Sequence, residues 1–181
     1  MRFLKAFVLL ALLVSTFTSS FAQTTPTDAP KPWVQTSFHG LSLLAPMALQ
    51  KMEIPVAPEQ KAMFHSMEAH MGNGGDYMIY SMYMHAKTTQ VSIQGSLQGA
   101  IQNAVTQLQG TDFQIEFMEL NQEKSALLAT ATFTRGTDKM IVKGYGFTDQ
   151  KGKAYIVAGF GEDNLKMHNT FTRLLTSIKV Q

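Results

Sequence analysis

Between Met63 and Ala86 the chain reads MFHSMEAHMGNGGDYMIYSMYMHA, which puts six methionines and three histidines into one stretch of a protein without cysteine. Thioether sulfur and imidazole nitrogen are ligands for a soft ion such as Cu(I). Pro58 leads into EQKAMFHSMEAHM and Gly72 follows as a stop, so this spacing predicts a helix. At about 100° per residue, Met63, Met67 and His70 would then share an arc of about 60°, with His65 on the far side. These three residues are the candidate ligands of a copper-handling site. The same arc, widened to Phe64 and Met71, is also the apolar stripe that an amphipathic helix must bury. Methionine is a flexible filler that packs well against aromatic rings, and Tyr77, Tyr80 and Tyr83 follow closely. Three readings therefore stand: core, a groove for an apolar partner or ligand, and Cu(I). Core packing is the reading that the residues favour.

Other reactive patterns fail on spacing. HSMEAH sets His65 and His70 five apart, whereas a zinc-binding His-Glu-x-x-His helix needs four. In QGSLQGA, Ser96 follows Gly95 directly, and a nucleophile elbow needs serine third after the first glycine. Ser96 is better placed as a helix N-cap. GNGGD at Gly72–Asp76 runs from helix to strand, the reverse of a phosphate loop. Glu116 and Glu119 fall on opposite faces of a strand, and neither His39 nor His168 has an evident acidic partner. No catalytic residue is assigned and no resident cofactor is implied.

The opening MRFLKAFVLLALLVSTFTSSFA has a basic start at Arg2 and Lys5, an uncharged apolar run and small residues before Gln23, as a secretory leader does. The expected organisation is a signal peptide over residues 1–22, a Thr/Pro-rich tether over 23–32, and one domain over 33–181. Cleavage near Ala22 would leave a soluble exported protein, periplasmic or secreted, with no stable membrane anchor. The formal net charge of +2 is accounted for by Arg2 and Lys5, and no basic cluster follows, so a nucleic-acid partner is not expected. With no disulfides, the fold must rest on its core.

Along the domain, WVQTSF and LSLLAP flank His39-Gly40 as a strand, turn and strand. MALQKMEIPVAP reads as an irregular connection. YMIYSMYMHA and TTQVSIQG read as strands, and SLQGAIQNAVTQLQG as a helix begun by Ser96. Along the first of these strands, Met78, Tyr80, Met82 and Met84 would face one way, with Tyr77, Ile79, Ser81, Tyr83 and His85 facing the other. FQIEFMEL, ALLATATFT, MIVKGYGFT and AYIVAGF are joined by links too short for parallel crossovers, which predicts an antiparallel meander. The last helix, EDNLKMHNTFTRLLTSI, would carry Glu162 and Asp163 in its first turn. Leu165, Phe171, Leu174 and Leu175 would lie on one face, and IKV would add a short strand. The fold class is α+β, a largely antiparallel sheet covered by helices.

The opening F-x-G-L-S-L-L-A-P (Phe38 to Pro46), a middle helix, the four-run meander and the close RLLTSIKV together resemble the Mog1/PsbP-like α/β/α sandwich. Small exported bacterial proteins of uncharacterised role share that pattern. The resemblance implies the fold and transfers no functional residue, because members do unrelated things. The function expected is an exported, non-catalytic binding or accessory domain for an unknown protein or apolar ligand, in the cell envelope or outside it. The alternative is copper(I) handling through Met63, Met67 and His70.

Overall fold

The computed structural model of the protein describes residues 32–54, 61–88, 91–149 and 151–181. The expected leader, all but the last residue of the expected tether, and the Pro58 start of the expected helix lie outside the described residues.

The first hairpin joins β1 (Val34–Phe38) to β2 (Leu41–Ala45). Its turn places His39 at φ 49° and Gly40 at φ 84°, both in the left-handed region. Gly40 is needed there, since the absence of Cβ removes the steric cost. A short β3 (Gln50–Met52) falls in the stretch expected to be irregular. β4 (Phe64–Asn73) and β5 (Tyr77–Ala86) form a long hairpin.

The strand β4 corrects the helix expected from Pro58 to Met71. Methionines at 63, 67 and 71 are four apart, and a spacing of four satisfies a period of two as well as one of 3.6. The helix and strand readings therefore agree on these residues. What decides for the strand is pairing with β5 on one side and β3 on the other.

The helix α1 (Ile93–Gln107) begins one turn earlier than expected. Ser92, not Ser96, is the cap, and its Oγ accepts a hydrogen bond from the Gly95 amide at 3.1 Å. Ile93, Leu97, Ile101 and Val105 are all buried, so the stripe extends back into residues expected to form a strand. The meander follows as expected: β6 (Thr111–Glu119), β7 (Ala126–Arg135), β8 (Asp138–Thr148) and β9 (Lys153–Glu162). The helix α2 (Leu165–Thr176) is capped by Asn164, whose Oδ1 accepts from the Met167 amide at 3.0 Å. Glu162 ends β9 instead, which leaves the first turn of α2 without acid. At about 100° per residue Met167, Phe171 and Leu174 share one buried arc, whereas Leu165 falls about 160° from Met167 and is 75% exposed, which corrects the face expected for it. β10 (Lys179–Val180) then pairs with β2.

Seven strands form one antiparallel sheet in the order β3-β4-β5-β9-β8-β7-β6, and β1, β2 and β10 form a second, smaller sheet. One face of the large sheet buries Met82, Met84, Ile156, Ala158 and Val142 against the stripe of α1. The other buries Ile79, Tyr83, Tyr155 and Val157 against Leu41 and Leu43 of β2 and Leu174 of α2. The alternation expected for β5 is the alternation observed. Gly159 on β9 lets α2 approach closely, because a Cβ there would lie 2.5 Å from the Phe171 ring. The fold is an α+β sandwich, with helical cover on each face of an antiparallel sheet.

Candidate functional site

Met63, Met67 and His70 do not converge. Because Phe64–Asn73 is a strand, Met67 and His70 project from opposite faces. Met67 pairs across with Met84 and packs on the α1 side. His70 lies on the other face, its ring stacked on Phe38 with centroids 4.3 Å apart. Met63 precedes the strand and is largely exposed. The methionines of β5 behave as apolar filler: Met82 and Met84 are buried, and the Tyr80 hydroxyl donates to Met82 Sδ at 3.0 Å. Burial pushes that hydroxyl up to about 12, so it stays a neutral donor.

On the His70 face, three elements instead meet at one carboxylate. Glu68 Oε1 accepts from His70 Nε2 at 2.8 Å, while Oε2 accepts from Lys51 Nζ at 2.7 Å and lies 3.4 Å from His39 Nε2. Lys51 is brought there by β3, whose register sets it opposite His70. His39 arrives from the β1–β2 turn, its ring stacked on Tyr83 at 4.2 Å and 9°. The Tyr155 hydroxyl donates to the His39 carbonyl at 2.9 Å and fixes the turn. The Lys51 ammonium first, and the His70 hydrogen bond second, hold the Glu68 carboxyl down at about 2. Composition hinted at no such hub. Glu68 and His70 are two residues apart, but Lys51 and His39 come from distant segments, and no motif joins them.

The hub is built to fasten rather than to react. Both Glu68 oxygens are engaged, and each imidazole directs its Nε2 at them. Among the described residues, no group of three or more His, Asp or Glu side chains is placed to hold a metal ion. Ser81 lies across from His70, and its hydroxyl and His70 Nδ1 are both buried without a hydrogen-bond partner among the described residues. A serine, imidazole and carboxylate in series could suggest nucleophilic chemistry, but Ser81 is fully buried, so no substrate reaches it. His168, the other histidine without an evident partner in the sequence, pairs with Asp163 at 2.8 Å.

A more accessible feature lies at the opposite end of the sheet. The helix α2 covers β9 and part of β8, which leaves the same face of β6 and β7 open. A groove of about 530 Å³ results. Cross-strand pairing sets Met118, Leu128 and Tyr145 in one row across its floor, with Glu116, Thr130 and Lys143 in the next. Leu175 and Thr172 of α2 form one wall and Leu120 closes the other end. Met118 is 57% and Leu120 46% exposed, although both are large and apolar. A second groove of similar volume runs along β3 and β4 from Lys51 and Glu68 to Phe64 and His65.

The architecture is the antiparallel α/β/α sandwich that the Mog1/PsbP-like resemblance implies. No family model matches the chain, and no curated protein matches it. Among solved structures, it is similar to the Ran-binding protein Mog1p of Saccharomyces cerevisiae, with a TM-score of 0.49 and 7% identity over 83% of this chain and 96% of that one. It is also similar to a Pseudomonas aeruginosa protein of unknown function, with a TM-score of 0.39 and 12% identity over 82% and 96% of the two chains.

Proposed function

We propose that the protein is an exported, non-catalytic binding domain that docks a partner protein on the uncovered β6–β8 face of its sheet. The observation that carries this reading is the row Met118–Leu128–Tyr145, left open beside Leu120 and Leu175 where α2 stops short of β6 and β7. Exposed apolar surface of this kind is costly to leave in water and marks interaction sites. The inward-locked Glu68 hub and the inaccessible Ser81 support a binding role over catalysis. The basic start, apolar run and small residues at the N-terminus support export.

Site-specific photocrosslinking in the native host tests the docking surface. A photoreactive residue at Met118 is expected to capture one envelope protein that the same residue at Leu165, more exposed but outside the groove, does not capture. Equal capture at both positions, or turnover of a hydrolase substrate by the purified protein, overturns the reading. N-terminal sequencing of the exported protein is expected to begin near Gln23, and an intact Met1 in the envelope fraction would refute cleavage.

A further inference from the structure

The groove lies directly against a free sheet edge, and the edge carries a distinctive charge. β6 ends the seven-stranded order and pairs only with β7 among the described residues. A strand in that position presents unpaired backbone donors and acceptors along its outer side, a template for one more strand. The register irregularity in β6 is confined to Thr111–Gln114, so Gln114 to Glu119 remains regular. From Thr111 to Lys124 the chain carries Asp112, Glu116, Glu119 and Glu123 against one base, Lys124, which pairs with Glu119 at 2.9 Å. The edge is thus acidic, four acids against one base, in a chain whose formal net charge is +2.

We infer that β6 receives an extended basic segment of a partner protein as an added antiparallel or parallel strand, with the neighbouring groove seating its apolar side chains. This deepens the docking reading above and rests on it. The pleat dictates the pattern of the segment. On the α1 side it would lie beside Phe113, Ile115 and Phe117, which are half-buried and apolar, and so call for apolar residues. On the groove side it meets Glu116, which calls for lysine or arginine, and then Met118, which accepts the stem of either or an apolar residue. Main-chain hydrogen bonds supply affinity in such strand addition, and alternate side chains supply choice. A second copy of this chain fits poorly, because pairing β6 with itself would bring two sets of the same carboxylates together.

The alternative is that these acids only guard the edge against pairing. Two labelled heptapeptides separate the possibilities, one alternating valine with lysine and one alternating valine with glutamate, titrated against the exported protein by fluorescence anisotropy. The lysine peptide is expected to bind at least tenfold more tightly, and to shift amide resonances at Gln114 to Met118. The double variant Glu116→Lys, Glu119→Lys is expected to reverse the preference. Failure of both peptides to bind, equal binding of the two, shifts centred on β1 or β3, or self-association that the double variant abolishes would each overturn strand addition. A Met118 crosslink to a native partner that persists despite such a failure leaves the docking groove standing and removes only the added strand.

Discussion

Glu68 and His70, two residues apart on one face of β4, share a 2.8 Å hydrogen bond in which the imidazole Nε2 donates to carboxylate Oε1. With Lys51 at 2.7 Å from the other oxygen, this holds the Glu68 carboxyl at about 2, below its ordinary 4.5. A depressed carboxylate contributes stability that is fully present above the unfolded value and is lost as pH falls through the folded one. The contribution should therefore be complete above about pH 4.5 and disappear toward pH 2. Discounted for solvent around the exposed Lys51, it is about 1–2 kcal/mol. Urea unfolding of wild type and Glu68→Gln should differ by that amount at pH 6 and converge at pH 2. A difference independent of pH would refute the assignment.

The hydroxyl of Tyr155, itself buried, donates to the His39 carbonyl and ties the β1–β2 turn to the large sheet. Tyr155→Phe keeps the ring and orphans that carbonyl, so a loss of about 1 kcal/mol is expected. Hydrogen exchange at Gly40 and Leu41 should accelerate by more than the global change requires. No local acceleration would mean that this hydrogen bond is not what holds the turn.

Gly159 sits beneath Phe171, and an added Cβ would stand 2.5 Å from its ring. Gly159→Ala should cost about 1–3 kcal/mol through overpacking. The same change in a Phe171→Leu background should cost clearly less, because the smaller side chain vacates part of the space. Equal costs in both backgrounds, read by chemical denaturation, would place the strain elsewhere.

Met67 and His70 leave β4 on opposite faces, so they offer no common point to an ion. Met67→Leu should change stability by less than about 1.5 kcal/mol, since the two side chains are close in volume. Anaerobic Cu(I) competition titrations of wild type, Met67→Leu and His70→Ala should give the same weak affinity. Tight binding lost in either variant would restore the copper reading.

The meander was legible because its evidence is local. Each of the four β-runs has its own composition, and links such as Asn121–Lys124 are too short for anything but a hairpin. The two faces of Tyr77–Ala86 were legible for the same reason, since a period of two fixes them once the strand is recognised. Helix starts were harder. Ser92 and Ser96 are equally good caps by type, and the buried Ile93 decided between them.

By itself, the sequence determined the antiparallel meander, the Leu97, Ile101 and Val105 stripe of α1 and the failed catalytic spacings, all of which depend on neighbours a few residues apart. Tertiary structure alone decided that Phe64–Asn73 is a strand, because a spacing of four satisfies both periods and the choice fell to pairing with β3 and β5. It alone gathered His39, Lys51 and His70 around Glu68, and it alone put β6 at the end of the strand order, paired only with β7 among the described residues, beside an open groove. Such relationships are set by strand order and register across the sheets, and hydrophobic periodicity along one chain carries no record of which strand lies next to which.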